Sequence, residues 1–189
     1  MTAESDPGSK ITESLRILRA SEQDAQALWE WRNDALTRQM SVSEAQVDRK
    51  THETWYRKLL ANPDRYLYVG CLETNERIGM CRFDLDTKSG DAEVSINLNP
   101  ACRGKRLSSP LLAAAMSRFQ LERRTDLIAK IKRSNLASIR CFAANGFVLD
   151  DSDGELLRYR YHIARGDVLL DPPTSQTLAP AGTQSAERR

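Results

Sequence analysis

The chain has 189 residues, 40% of them hydrophobic and 29% charged, with a formal net charge of +2. That composition can bury a core without staples, and the near-balanced charge excludes nucleic-acid binding driven by bulk electrostatics. No run approaches the ~18 apolar residues of a membrane span, the four cysteines and two histidines show no metal-ligand spacing, and residues 1–14 lack the apolar core of a signal peptide, so a cytoplasmic protein without metal is expected.

Residues 1–14, rich in Ser, Thr, Glu, Gly and Lys, read as a flexible lead-in. Leu15–Arg19 is a predicted strand. Ser21, with Asp24 three residues on, resembles a capping box and opens a helix that carries Ala25, Leu28, Trp29, Trp31 and Leu36 and frays near Ser41. A second helix is predicted from Ser43 to Leu60, with Val47, Trp55, Leu59 and Leu60 as buried candidates and Asn62-Pro63 as its stop. Arg65–Leu72 and Arg77–Asp84, separated by Glu73–Glu76, read as an antiparallel hairpin.

After the turn Thr87–Gly90, the stretch from Asp91 to Phe119 dominates the chain. Ala92, Val94, Ile96 and Leu98 alternate with Glu93, Ser95, Asn97 and Asn99, the period-2 pattern of a half-buried strand. A short basic loop, Arg103-Gly-Lys-Arg-Leu-Ser108, leads into Leu111, Leu112, Ala115, Met116 and Phe119 at helical spacing. The first turn of a helix has unpartnered N–H groups and the positive end of the macrodipole, so this loop is a candidate anion cradle, and a diphosphate would suit it.

Leu127–Ile131 is predicted as a strand, Ala137–Asn145 as a helix capped by Gly146, and Phe147–Leu149 with Leu156–Ile163 as a strand pair around the turn Asp150–Gly154. From Arg165 the chain is rich in Pro, Ser, Thr and Gln and reads as a disordered tail over 165–189, leaving one domain over 15–164.

The strand–loop–helix resembles motif A of the GNAT superfamily of acyl-CoA-dependent N-acyltransferases, whose loop holds the pyrophosphate of coenzyme A. Arg103 fits the first motif position, Gly104 supplies flexibility, and Arg106 and Ser108 stand where the pattern asks for Gly and for Gly or Ala. Asn135-Leu-Ala-Ser138-Ile-Arg-Cys-Phe142-Ala-Ala-Asn-Gly146-Phe147 is similar to motif B. The resemblance implies an α/β GNAT fold, a mixed, splayed sheet of about seven strands flanked by about four helices. It also implies acetyl-CoA as cofactor, held by Arg103, Gly104, Lys105, Arg106, Leu107 and Ser108 at the pyrophosphate and by Asn135, Ser138 and Phe142 at the thioester end. Backbone N–H groups around Ile96, Asn97 and Leu98 would polarise the thioester carbonyl. Helix capping is the plain alternative for Asn135 and Ser138, and core packing for Phe142.

Acyl transfer to an amine needs somewhere for the ammonium proton to go. Glu93, on the polar face of the central strand, is the candidate base; solvation or pairing with an arginine is its structural alternative. Many relatives place a tyrosine acid where this chain has Phe142; Tyr159, Tyr161 and water are substitutes in principle, Cys141 a weaker one, and the acid stays unassigned.

Trp31-Arg32-Asn33, His52-Glu-Thr-Trp55-Tyr56 and Asp64–Val69 resemble the GNAT branch that acetylates nucleotide-linked amino sugars in pseudaminic acid synthesis. This implies a UDP-amino sugar as the amine substrate, bound by Trp31, Arg32, Asn33, His52 and Trp55; packing or solvation explains each equally well. The competing readings are a protein N-terminal acetyltransferase of the ribosomal-protein type and a non-catalytic CoA-binding regulatory module. A homodimer is compatible with the fold, and the scattered Arg123, Arg124, Lys130, Lys132, Arg133 and Arg140 read as a solvated face rather than a nucleic-acid site.

Overall fold

The computed structural model describes residues 15–163, so the expected lead-in and tail lie outside the described residues. The strands are β1 (Arg16–Arg19), β2 (Arg65–Cys71), β3 (Arg77–Leu85), β4 (Ala92–Leu98), β5 (Leu127–Lys132), β6 (Val148–Asp153) and β7 (Leu156–Tyr161). The helices are α1 (Ala25–Asn33), α2 (Ala35–Met40), α3 (Arg49–Leu60), α4 (Ser108–Glu122) and α5 (Leu136–Ala144). The strands form one sheet in the order β1-β2-β3-β4-β5-β7-β6. Every neighbouring pair is antiparallel except β4 and β5.

Period-2 alternation gives the sheet two apolar faces, each covered by helices. On one face α4 buries Leu111, Leu112, Ala115, Met116 and Phe119 against Tyr68, Ile78, Phe83, Val94, Leu127 and Ala129. Each such large side chain contributes roughly 1.5–3 kcal/mol when fully buried. The start of α4 sits very close to the sheet because Gly79 has no side chain: a Cβ there would lie 2.7 Å from Asn97 O and 2.9 Å from Leu111. On the other face α1 and α3 pack Leu28, Trp31, Tyr56 and Leu59 onto Leu67, Val69 and Cys71. All four cysteines are buried and free.

Three local expectations are corrected. The first helix is not continuous: Asp34 breaks it with an extended ψ of 137°, and its carboxylate caps α2 by accepting from Thr37 N at 3.0 Å. The second helix begins at Arg49 rather than Ser43, with Asp48 as its N-cap accepting from Thr51 N. Val47 stays outside it because Asn33 holds both its N–H and its carbonyl. Lastly, β6 continues to Asp153 through a bulge between Leu149 and Asp151, so the turn shrinks to Gly154 and Glu155. The strand is an exposed edge carrying Asp150, Asp151 and Asp153.

Candidate functional site

The sheet is split at its only parallel junction. β4 and β5 are in register at Ala92↔Leu127 and Glu93↔Ile128, and no further rung follows. Ala92 N donates to Asp126 O on the β5 side, whereas Asn99 N donates to Ile78 O on the β3 side. Because strand N–H groups alternate in direction, those of Ile96 and Leu98 point into the gap and that of Asn97 points to β3. Two backbone donors therefore line an opening that no strand closes among the described residues.

Below the opening lies the 103–108 loop. Gly104 has φ 75° and Arg106 has φ 58°, so the arginine adopts the left-handed backbone that the motif normally reserves for glycine. That conformation costs a non-glycine residue about 1–2 kcal/mol. It turns the chain into α4, whose N-cap, Leu107, makes no side-chain capping bond. Leu107 itself is buried in the core, leaving only its backbone for a ligand. The N–H groups of Ser108 and Ser109 stay free of intrahelical partners, and Pro110 has none to offer. Lys105 and Arg106 are exposed and make no side-chain hydrogen bond or ion pair with another described residue.

Arg103 behaves differently. Its Nη2 donates to Asp34 Oδ1 at 2.5 Å and to Thr37 Oγ1 at 2.6 Å. Thr37 Oγ1 in turn reaches Asn97 Oδ1 on β4 at 3.3 Å. At its other end α2 accepts from Lys132 Nζ at Gln39 O, 3.0 Å, and from Asn135 Nδ2 at Met40 O, 3.4 Å. Lys132 also pairs with Glu44. Helix α2 thus bridges the two sides of the split, tied to β4 and the basic loop at one end and to β5 and α5 at the other.

The site consists of an open strand edge, an uncapped helix start, left-handed loop residues and unpaired cations. These fit a diphosphate carrying a thioester on an extended arm. A family model described as acetyltransferase (GNAT) domain matches residues 14–148. The chain belongs to this GNAT family. It is accordingly an acyltransferase, with acetyl-CoA as its cofactor.

Solved structures share the GNAT fold at low identity. Spermidine N-acetyltransferase from Vibrio cholerae, in complex with CoA and spermine, aligns with a TM-score of 0.69 and 15% identity over 78% of this chain and 94% of that one. A ribosomal L7/L12 α-N-protein acetyltransferase in complex with coenzyme A gives 0.70 and 17% over 81% and 96%. AAC(6′)-Ib in complex with ribostamycin and coenzyme A gives 0.69 and 21% over 79% and 93%. No curated protein matches the sequence.

Within this GNAT domain, the residues singled out from sequence separate into two groups. Ile96, Leu98, Gly104, Lys105, Arg106 and Ser108 surround the opening and the loop below it. The motif B residues also have structural roles, which a place at the cofactor does not exclude. Asn135 caps α5 by accepting from Ser138 N at 3.1 Å. Phe142 is in the core, edge-on to Phe147 at 4.9 Å. Cys141 is buried beside it, and burial raises its thiol pKa.

Glu93 sits on the last paired rung before the split, on the α1–α3 face, and forms a 2.7 Å ion pair with Lys130 rather than with an arginine. The same face carries Arg82 and Arg65, 3.0 Å and 3.7 Å from the single carboxylate of Asp84, with the Arg82 guanidinium 5.6 Å from the Trp55 ring.

The expected sugar-binding set is largely consumed by packing. Trp31 is buried under α3. Arg32 holds Ser43 O at 2.8 Å, and Asn33 is spent on Val47. His52 is buried, stacked on Tyr56 at 5.7 Å, and its Nδ1 has no partner among the described residues. Burial lowers its pKa. Trp55 is partly buried against the same cluster, with the Arg82 guanidinium over its ring. Asp34, Thr37 and Arg82 carry no functional motif in the sequence, and Lys130, expected on a solvated face, is paired with Glu93. The Asn33-Asp34 dipeptide with Thr37 three residues on carries a capping signal that would have exposed the break before α2. Among the described residues no helix is long and apolar enough to cross a membrane, and no cluster of possible metal ligands occurs.

Proposed function

We propose that the chain transfers an acetyl group from acetyl-CoA to a primary amine, with a nucleotide-linked amino sugar as the acceptor class. The observation that carries the first half is the unpaired β4 edge running down to the uncapped α4 turn. Coenzyme A, when bound, supplies the activated acyl carbonyl. The N–H groups of Ser108 and Ser109, with Lys105 and Arg106, would hold its phosphates, and the N–H groups of Ile96 and Leu98 would face the carbonyl oxygen as charge develops there.

In this reading Glu93 takes the ammonium proton. Its carboxylate already binds one ammonium, that of Lys130, on the face from which the acceptor approaches. An incoming substrate ammonium can replace Lys130 at that carboxylate and leave as the neutral amine. For the acceptor, Arg65 and Arg82 share one acid, so this part of the face has surplus positive charge beside Trp55. That arrangement favours an acceptor with an anionic arm and a stacking base, and it repels a polycation such as the spermine of the Vibrio cholerae complex.

A thiol-release assay with acetyl-CoA and a panel of UDP-amino sugars, peptides and polyamines tests this. Turnover confined to UDP-amino sugars supports the reading, and turnover confined to peptides or polyamines replaces the acceptor class. Glu93→Gln is expected to lower kcat at neutral pH on the order of a hundredfold; an unchanged rate removes Glu93 from the role of base.

A further inference from the structure

We propose that Arg103 is a positioning residue that locks α2 across the β4–β5 split, and that its side chain is not a phosphate ligand. This rests on reading the 103–108 loop as the phosphate cradle.

The three cations of the loop have different surroundings. Lys105 and Arg106 are exposed without a described partner. The Arg103 guanidinium is half-buried and turned back to Asp34 Oδ1 and Thr37 Oγ1, at 2.5 and 2.6 Å. The charge on Asp34 already balances it, and two short charge-assisted bonds fix its direction. A guanidinium so held is a poor choice for a mobile phosphate.

Asp34 has a second role, since the same Oδ1 accepts from Thr37 N and caps α2. Arg103 therefore binds the cap of a helix too short to hold itself, six residues long with no buried side chain. Thr37 passes the constraint to Asn97 on β4, next to the two gap-facing donors. Through this chain the loop beneath the cofactor sets the wall on the acceptor side. The position of α2 and the form of the loop become one variable.

The experiment separates the cap from the ion pair. Ser is a good N-cap, so Asp34→Ser keeps the cap and removes the charge, while Arg103→Gln removes the other partner. Hydrogen exchange of the 35–40 amides is followed in the full chain, coenzyme A affinity is measured by calorimetry, and KM for acetyl-CoA and kcat are compared using the best amine from the acceptor panel. Both variants should raise exchange in α2 tenfold or more, lower kcat, and leave coenzyme A affinity and KM for acetyl-CoA within about threefold. Arg103→Lys, which keeps the charge, should restore part of kcat. Unchanged α2 exchange in both variants overturns the proposal. So does a tenfold loss of coenzyme A affinity in Arg103→Gln that Asp34→Ser does not share. If the unmodified chain binds no coenzyme A, the cradle reading fails, and exchange alone still decides whether Arg103 holds α2.

Discussion

Two strand-to-helix turns flank the split in the sheet, and they handle their helix starts in opposite ways. The turn from β5 into α5 closes on itself: Asn135 supplies its side chain to Ser138 N, and its amide reaches Met40 O. The turn from β4 into α4 leaves its first N–H groups uncapped, bends through two left-handed residues and presents two unpaired cations. A helix start satisfied by its own side chain is scaffold, and one left unsatisfied is available to an anion. Motif resemblance treats both turns alike; hydrogen bonding gives them different helix starts.

That contrast can be broken at several points. The largest effect is expected at Phe142, which anchors the closed turn's helix in the core. Phe142→Ala should cost about 3–5 kcal/mol in denaturant unfolding, and Phe142→Tyr, which buries a hydroxyl beside Phe147, about 1–3 kcal/mol. Charge reversal sharpens the comparison next. Lys105→Glu should weaken coenzyme A binding on the order of tenfold, about 1.4 kcal/mol, with a strong salt dependence in calorimetry. Arg133→Glu, at the closed turn, should leave that affinity unchanged.

Removing the cap by Asn135→Ala should destabilise the fold by about 1 kcal/mol without altering affinity beyond what looser packing causes. Arg106→Gly relieves the left-handed backbone, but glycine gains freedom in the unfolded chain, so a net stabilisation of ~0.5 kcal/mol or less is expected from thermal melts.

The smallest effect is on pH. The hydrogen bond from Arg103, ahead of that from Thr37 N, holds the Asp34 carboxyl below its ordinary value of 3.8. A carboxyl depressed on folding contributes stability that is complete above its unfolded pKa and is lost as pH falls through the folded one. The urea midpoint should therefore fall more steeply between about pH 5 and 3 in the unmodified chain than in Asp34→Ser.

The order of strands and helices was legible because the period changes from 2 to 3.6 between Leu98 and Leu111, a signal that needs no tertiary information. The family resemblance likewise came from residues that fold locally, such as Gly104 and the Asn135 cap. Side-chain destinations were not legible. Arg32 and Asn33 resembled substrate ligands but bind the backbone of the Ser43–Val47 segment, together with Trp29 and Arg38. Val47 looked like a helix residue because its apolar side chain fits the spacing, although its N–H and carbonyl were already committed to Asn33. Asp150–Asp153 have turn composition, yet pairing with β7 draws them into a strand. Arg103 matched the motif while its partners, Asp34 and Thr37, lay more than sixty residues earlier.

The outer strand β6 has a consequence for behaviour at high concentration. Its kink, with Asp151 and Asp153 beside an Asp150 that is paired to Arg158 and Arg160, makes a poor template for a foreign strand. Pairing of a second chain is thereby disfavoured at this edge, and the opposite edge, β1, is left as the more open of the two.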